Sequence, residues 1–415
     1  MKSVSIVRMA PSRRAGQEGV PLSQLPPLSL YVHLPWCLKK CPYCDFNSHE
    51  WRREEGSPPT LPAALEQRYL DALQADLEAS LPLIWGRGVQ TVFIGGGTPS
   101  LFSPAAIEAL LAMIRARVRL VPEAEITLEA NPGSFETGRF AGFARAGVTR
   151  LSIGVQSFDD GLLRAIGRVH DAAQAHAAVQ EASRHFATFN IDLMYALPGQ
   201  SMAALDRDLD RALAYQPPHL SCYHLTLEPN TLFAKYPPAV PDEDLAADMQ
   251  DRVEARLAQA GLQHYEISAY ARPGHRARHN LNYWQFGDYL GIGAGAHGKL
   301  SFHHGIVRYA RFRQPQRFIE AALAGGAVEE ERRLLPADLP FEFMLNALRL
   351  IDGVPATMFE ERTGLAVTAI ATAMSRAAEQ GLVDADPARI QATPRGLQFL
   401  NDLQARFLDD DARSA

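Results

Sequence analysis

The 415-residue sequence contains only four cysteines and lacks any apolar run close to the ~20 residues that a membrane-spanning helix needs. Three of these cysteines lie within eight positions, which excludes the disulfide framework of a small secreted protein. The formal net charge of −6 offers no excess of basic surface for nucleic-acid binding. The basic N-terminal residues are not followed by the apolar run of a signal peptide. We therefore expect a cytoplasmic protein with neither a membrane span nor a nucleic-acid partner.

Apolar, β-rich segments alternate with amphipathic helical segments along most of the chain. Such alternation predicts a parallel sheet, and its repetition favours an α/β fold built as a complete or partial (β/α) barrel. Polar and glycine-rich residues follow the strands, at the edge where such a barrel builds its active site. The predicted strands cover 28–34, 89–97, 125–131, 150–156, 188–199, 219–229 and 264–271, and the clearest helices cover 62–81, 103–118 and 242–261.

The pattern divides the chain into three parts. We expect a flexible leader at 1–27, a barrel domain with its C-terminal extension at 28–334, and a small helical or winged-helix-like module at 335–415. A winged helix would normally suggest DNA binding. The acidic residues of this module, which ends in a Leu-Asp-Asp-Asp tail, favour a packing or interaction role instead.

The three clustered cysteines, Cys37, Cys41 and Cys44, have the spacing C-x3-C-x2-C on a loop directly after the first predicted strand. A structural zinc site needs four ligands, and His33 or His49 could complete a Cys3His set. A [4Fe–4S] cluster held by three thiolates instead leaves one iron without a protein ligand. That open iron could take a substrate. The fourth cysteine, Cys222, lies in an apolar run and is expected to be a buried strand thiol.

The stretch YVHLPWCLKKCPYCDF resembles the radical S-adenosylmethionine (SAM) superfamily. Within it, the stretch is similar to the branch that contains oxygen-independent coproporphyrinogen III oxidase and the HemW-type haem chaperones. The resemblance covers nearly the whole chain, from about residue 28 to the C-terminal TPRGLQFLN. It implies a [4Fe–4S] cluster whose open iron chelates the amino and carboxylate groups of SAM. In that superfamily, reduction of the cluster cleaves SAM to a 5′-deoxyadenosyl radical.

Further segments match the SAM contacts of the superfamily. Taken singly, the glycines of FIGGGTPS could serve a tight strand-to-helix turn, and the polar strand ends could be helix caps or exposed loop residues. Their order along the chain makes coincidence a poor explanation. The resemblance implies SAM contacts at Tyr31, Gly96, Gly97, Thr98, Glu129, Gln156, Arg168 and Asp192.

Two features bear on the branch. Coproporphyrinogen oxidases carry a further cysteine two positions after the third cluster cysteine, whereas this chain has Phe46, which is typical of the HemW-like branch. The segment RHNLNYW (278–284) matches the HNxxYW element proposed to bind haem there. It offers His279 as an iron ligand and Tyr283 and Trp284 as flat apolar faces. The alternative is a His-Asn pair that caps a turn, with the aromatic rings in the core.

The segment GIGAGAHG (291–298) has the spacing of a dinucleotide-binding loop, but it lacks the βαβ unit and distal acidic residue of such a site. A glycine-rich turn close to the SAM site is the better interpretation. His297, His303 and His304 are left out of the predicted haem site, because histidines near loops are usually solvated or hydrogen-bonded.

Two hypotheses remain open. In the first, the protein binds haem and passes it to acceptor haemoproteins, with membrane-associated respiratory enzymes among the candidates, while the cluster and SAM control binding or release. In the second, it is an enzyme in which a SAM-derived radical starts the decarboxylation of porphyrinogen propionates. Phe46 and the HNLNYW sequence favour the first, so whether the chain is an enzyme stays open.

Overall fold

A computed structural model describes residues 20–51 and 60–408. Most of the leader predicted at 1–27, and the acidic end of the chain from residue 409, lie outside the described residues. No helix within the described ranges combines the length and apolar character needed to cross a bilayer.

The described chain is a mixture of strands and helices that confirms the predicted α/β fold. The strands are β1 (Leu28–Leu34), β2 (Trp36–Cys37), β3 (His49–Glu50), β4 (Gly88–Gly96), β5 (Arg119–Ala130), β6 (Arg150–Gln156), β7 (Thr188–Tyr195), β8 (His219–His224), β9 (Gln263–Glu266), β10 (Ala269–Ala271), β11 (Asp288–Ile292), β12 (His297–Phe302), β13 (Gly305–Arg311), β14 (Val328–Arg333), β15 (Val354–Pro355) and β16 (Arg389–Ile390).

The helices lie between and after these strands. They are α1 (Ala63–Ser80), α2 (Pro104–Arg117), α3 (Ser134–Thr137), α4 (Phe140–Ala146), α5 (Asp160–Ala165), α6 (Ala172–His185), α7 (Met202–Leu213), α8 (Leu232–Lys235), α9 (Glu243–Gln259), α10 (Arg278–Trp284), α11 (Pro315–Leu323), α12 (Leu339–Ala347), α13 (Thr357–Thr363), α14 (Ala371–Glu379), α15 (Pro394–Gln398) and α16 (Leu400–Ala405), with short 3-10 turns at Leu81–Ile84, Pro99–Leu101 and Val367–Ile370.

One large sheet organises the molecule. Its order is β14-β13-β12-β11-β1-β4-β5-β6-β7-β8-β10-β9. The neighbours from β11 through β1 and β4 to β8 are parallel, while the strands outside them at both edges are antiparallel. The sheet therefore has two free edges, as a partial rather than a closed barrel does.

The apolar composition of the central strands follows from their burial. β1 reads LSLYVHL and is buried at every position except Tyr31, because helices cover one face of the parallel sheet and its inner face lines the barrel. α1, α2 and α9 begin and end within a few residues of the predicted helices, and α2 and α9 carry side-chain N-caps at Ser103 and Asp242.

The single strand predicted over 264–271 is corrected to two. β9 and β10 are antiparallel to each other, and β10 is also antiparallel to β8. The chain turns at Ile267 and Ser268, where the Ser268 carbonyl accepts a hydrogen bond of 2.8 Å from the amide of Cys222. Cys222 is buried in β8, in agreement with its interpretation as a strand thiol.

The C-terminal helices form a second hydrophobic core. This core gathers Phe343 and Phe359 with side chains of α14 and α16, and Leu22 and Phe286 pack against it from the rest of the chain. The two-stranded sheet of β15 and β16 completes this mainly helical part. The exact domain boundary near residue 335 stays a prediction.

The carboxyl ends of the parallel strands lie at the same end of the barrel. Leu34 of β1 and Gly96 of β4 are aligned there, and β5, β6 and β7 end beside them. The cysteine loop leaves β1 at this end, so the topology brings the cluster cysteines and the strand-end residues predicted to contact SAM close together.

Candidate functional site

The cysteine loop is anchored at both ends by backbone hydrogen bonds. Cys37 lies in β2, which pairs with β3, and the Trp51 amide donates to the Cys37 carbonyl at 2.8 Å. The amide of Cys44 donates to the carbonyl of Cys41 at 3.1 Å, closing a turn between them. Cys37 is buried, whereas Cys41 and Cys44 line an open cleft of about 670 Å³ beside Lys40. The three thiols are thus held on one loop with one side open.

A chain of hydrogen bonds links two of the sulfur atoms. The Thr98 hydroxyl lies 3.3 Å from Sγ of Cys37 and accepts from Nδ2 of Asn131 at 2.9 Å. Oδ1 of Asn131 accepts from the Arg168 guanidinium at 2.6 Å, and the same guanidinium lies 3.6 Å from Sγ of Cys41. Sequence reasoning missed Asn131. Its position as the last residue of the strand predicted over 125–131 was the signal that could have found it.

The glycines after β4 allow the backbone to approach the cysteine loop. The amides of Gly97 and Thr98 donate to the carbonyls of Leu34 and Trp36, both at 2.8 Å. A Cβ atom on Gly97 would lie 2.7 Å from the Trp36 carbonyl oxygen, and Gly96 has a φ of 118°. Side chains are therefore excluded here for packing reasons as well as any ligand-binding reason.

Two carboxyl groups face the barrel interior at the strand ends. Glu129 accepts a hydrogen bond of 3.1 Å from the amide of Gly96, and burial together with the charge of Asp192 raises the pKa of Glu129 to about 8. Asp192 accepts from Ser152 at 3.2 Å and from Asn190 at 2.7 Å, and burial raises its pKa. Such a pair is complementary to a cation, since a positive charge between them would favour both ionised forms.

Gln156 and Arg168 complete the edge formed by β6. Gln156 has a φ of 68°, a left-handed conformation that costs a residue with a side chain of order 1 kcal/mol or more. Arg168 donates to the carbonyl of Gly154 at 2.7 Å, which fixes its guanidinium between β6 and the cysteine loop. The strained residue and the bridging cation both border the predicted SAM region.

Tyr31 lies in the middle of β1 and His33 near its end, and both nitrogens of the His33 ring are occupied. Nε2 donates to the Asn47 carbonyl at 2.9 Å, so Nδ1 accepts from the Tyr31 hydroxyl at 2.9 Å. Burial lowers the pKa of His33 to about 4, so the ring is neutral at neutral pH. His49 places Nε2 3.2 Å from Oδ1 of Asn47.

These bonds weigh against the zinc alternative, because neither His33 nor His49 turns towards the thiols. In the described part of the chain, no three histidine, cysteine or acidic side chains converge closely enough to hold one metal ion. A [4Fe–4S] cluster has a different requirement, since each of its thiolates binds a separate iron. The spread thiols and the open cleft suit that larger group.

His279 is placed at the other end of the barrel from the cysteines. It lies in α10, is only 2% exposed, and Nδ1 is 2.7 Å from the Thr91 hydroxyl near the start of β4. Its ring centroid is 5.0 Å from that of Phe93, and burial lowers its pKa to about 3. Nε2 has no hydrogen-bond partner among the described residues. The ring is thus enclosed by neighbouring residues, and its predicted role as a haem ligand stays a prediction.

The other aromatic residues of the RHNLNYW segment point in different directions. Trp284 packs towards the C-terminal core, where the Arg349 guanidinium lies 4.4 Å from its ring centroid. Tyr283 instead lies 4.3 Å from Tyr289, centroid to centroid, and lines a cavity of about 380 Å³. The segment is therefore a helix in which His279 is buried while Tyr283 and Trp284 are half-buried, and of these three residues Tyr283 lines this cavity.

Comparison with known proteins agrees with the geometry. Residues 31–212 match the radical SAM superfamily, and residues 334–399 match the HemN C-terminal domain. The chain is 46% identical to the heme chaperone HemW of Escherichia coli, over 93% of this chain and 99% of that protein. It is 44% identical to the heme chaperone HemW of Haemophilus influenzae, over 94% and 100% of the two chains.

A solved structure has the same overall fold. Coproporphyrinogen III oxidase (HemN) from Escherichia coli, described as a radical SAM enzyme, superimposes with a TM-score of 0.76 and 25% identity, over 92% of this chain and 90% of that one. The two HemW proteins are 44–46% identical to this chain over nearly its full length, whereas HemN is 25% identical. The chain is therefore nearer to HemW than to HemN in sequence. This chain belongs to the HemW family of the radical SAM superfamily.

Proposed function

We propose that this protein is a haem chaperone that binds haem and delivers it to haemoproteins, and that it carries a [4Fe–4S] cluster and SAM. The observation that carries the proposal is the 46% identity, over almost the entire length of both chains, to a protein named heme chaperone. Acceptor haemoproteins are the partners, with membrane-associated respiratory enzymes among the candidates.

The residues of the cysteine loop fit a cluster. Three thiols share one anchored loop beside an open cleft, and donors from Thr98 and Arg168 approach two of the sulfurs. Hydrogen bonds to the sulfurs of a cluster tune its reduction potential. Held by Cys37, Cys41 and Cys44, a [4Fe–4S] cluster would supply redox-active iron with one position open to SAM.

The residues at the strand ends fit SAM, which carries a sulfonium and an amino group. Glu129 and Asp192 provide partly buried carboxyl groups that could hold this positive charge, and Glu129 accepts a hydrogen bond from the amide of Gly96. Gly97 keeps side chains out of the approach to the cysteine loop. Arg168 holds the loop and the end of β6 in register, through Asn131 and the Gly154 carbonyl. Tyr31, Thr98 and Gln156 are proposed as further contacts at the same edge.

A second candidate function is the oxidative decarboxylation of coproporphyrinogen III. The TM-score of 0.76 to a coproporphyrinogen III oxidase favours it. Two observations favour the chaperone instead: identity to that oxidase is 25%, and Phe46 occupies the place where oxidases are expected to carry an additional cysteine.

The test uses the full-length chain with its cluster reconstituted anaerobically. Haem titration should give saturable binding of one equivalent, followed by the Soret band. The same preparation, given coproporphyrinogen III, SAM and a strong reductant, should release no protoporphyrinogen. Repeated turnover of coproporphyrinogen would assign the oxidase function, and an absence of saturable haem binding would refute the chaperone.

A further inference from the structure

The burial of His279 leaves the proposed haem site without an accessible iron ligand. The ring is enclosed by β4 and α10, and its Nδ1 already contacts Thr91. Its T-shaped contact with Tyr283, at 5.1 Å between centroids, fits a role in holding that tyrosine in place. A ligand for haem iron therefore has to be sought among imidazoles that open onto a cavity.

The cavity that Tyr283 reaches contains such an imidazole. It lies between β1, the segment that follows Cys44, the end of α10 and the turn that leads into β12. Two histidines line it. His33 is excluded as a ligand, because Tyr31 and Asn47 occupy both of its nitrogens. His297, the first residue of β12, is exposed at the cavity, and within the described ranges its ring nitrogens make no hydrogen bond.

The charges around His297 suit the binding of an anionic iron porphyrin. Partial burial and the positive charges of Arg308 and Arg313 lower the pKa of His297, whereas the negative charge of Glu330 raises it by a smaller amount. Its imidazole is therefore neutral at neutral pH, and the neutral ring is the form that ligates metals. Arg313 is exposed and lines the same cavity, where it could pair with a haem propionate.

Aromatic side chains provide the flat apolar walls that a porphyrin needs. Tyr283 and Tyr289 pack 4.3 Å apart between centroids, and Tyr31 lies deeper in the same cavity. Phe46 stands at the rim with 66% of its surface exposed. A macrocycle against this wall would cover Phe46 and gain the stacking contacts that aromatic rings favour.

Asn47 joins this cavity to the cysteine loop. Its Nδ2 donates to the carbonyls of Ala294 at 2.9 Å and Arg313 at 2.8 Å, and its own carbonyl accepts from His33. The cluster cysteines and the cavity therefore lie on two sides of one short segment. A ligand in the cavity would touch the same loop that holds the cluster.

We infer that haem binds in this cavity with His297 as its iron ligand and Arg313 as the partner of a propionate. His279 is then a positioning residue behind Tyr283. The inference rests on the proposed haem-binding function and assigns its site.

Haem titration of cluster-loaded full-length variants tests the assignment. His297→Ala should weaken haem binding at least tenfold and shift the Soret band, and added imidazole should restore the band position. His304→Ala, which changes a surface histidine in the turn between β12 and β13, is the matched control and should bind as the wild type does. The visible absorbance of the cluster reports that each variant is folded.

A second comparison tests the propionate contact. Arg313→Ala should weaken haem several-fold but leave the affinity for haem dimethyl ester, which lacks free propionates, unchanged. Wild-type affinity and spectrum in His297→Ala, or a loss that is confined to His279→Ala, would overturn the inference while leaving the chaperone proposal intact. Failure of the wild-type protein itself to bind haem would refute both.

Discussion

Replacing Glu129 with glutamine should change how SAM binding depends on pH. Burial and the nearby Asp192 raise the pKa of Glu129 to about 8, so the carboxyl group is mostly protonated below that pH. A cationic ligand prefers the ionised carboxylate. SAM affinity should therefore rise as the pH rises through 8 and fall as the pH drops below it.

The size of the effect follows from the ionised fraction. For a pKa of about 8, this fraction falls from about 0.9 at pH 9 to about 0.01 at pH 6, so affinity should drop roughly 90-fold, or about 2.7 kcal/mol. The amino group of SAM also titrates near pH 8. The quantity to compare is therefore the ratio of wild-type to Glu129→Gln affinity at each pH, because the variant retains the ligand's own titration.

Equilibrium dialysis of SAM against reconstituted protein between pH 6 and 9, at fixed ionic strength, measures this ratio. Glu129→Gln should bind SAM weakly at pH 9 and lose the part of the pH dependence that Glu129 contributes. Asp208→Asn removes another buried carboxyl group, whose pKa burial raises to about 6, but which contacts Ser157 and Phe158 instead. That control should follow the wild-type profile. An identical pH profile in Glu129→Gln and wild type would refute the placement of SAM beside Glu129.

Three other predictions concern the cluster and the fold. Cys41→Ser should abolish the brown colour and lower the iron and sulfide content. Cys222→Ser, which replaces a buried strand thiol, should keep both, and an intact cluster in Cys41→Ser would refute the ligand assignment. Thr98→Val removes a hydroxyl that lies 3.3 Å from Sγ of Cys37, so the reduction potential of the proposed cluster should become more negative in voltammetry. Thr98→Ser should preserve the potential, and equal potentials in Thr98→Val and wild type would contradict this contact. Lys299→Met should lower the free energy of unfolding by about 3 kcal/mol, because it breaks the buried ion pair of 2.8 Å with Asp288. Lys39→Met, at the surface, should have little effect in the same denaturant titration. Equal stability of the two variants would contradict the argument.

The central strands and several helices could be predicted because their apolar pattern is local. β1 and β6 have the bounds that the sequence indicates. β1 is buried on both faces and is therefore mostly apolar, whereas β6 alternates between buried and half-buried positions. The turn at Ile267 was not predictable in this way. Its direction is set by pairing with β8, a contact between distant parts of the chain.

Some residues of the candidate site could also be predicted from the sequence, and others could not. The cysteine spacing and the strand-end polar residues could be found because a motif and a strand end are both local features. Asn131 was missed because its role depends on Thr98 and Arg168, which only the fold brings beside it. The burial of His279 was also invisible, since its motif records residue types but not the side of α10 that faces Thr91.

Delivery of haem tests the central claim most directly. Haem-loaded protein would be mixed with increasing amounts of the apo form of a respiratory haemoprotein in detergent, and separately with a passive haem scavenger, and transfer would be followed by the Soret band. The account predicts a transfer rate that rises with acceptor concentration and exceeds the rate of release to the scavenger. Equal rates, independent of acceptor concentration, would mean that haem only dissociates, and would contradict the chaperone function.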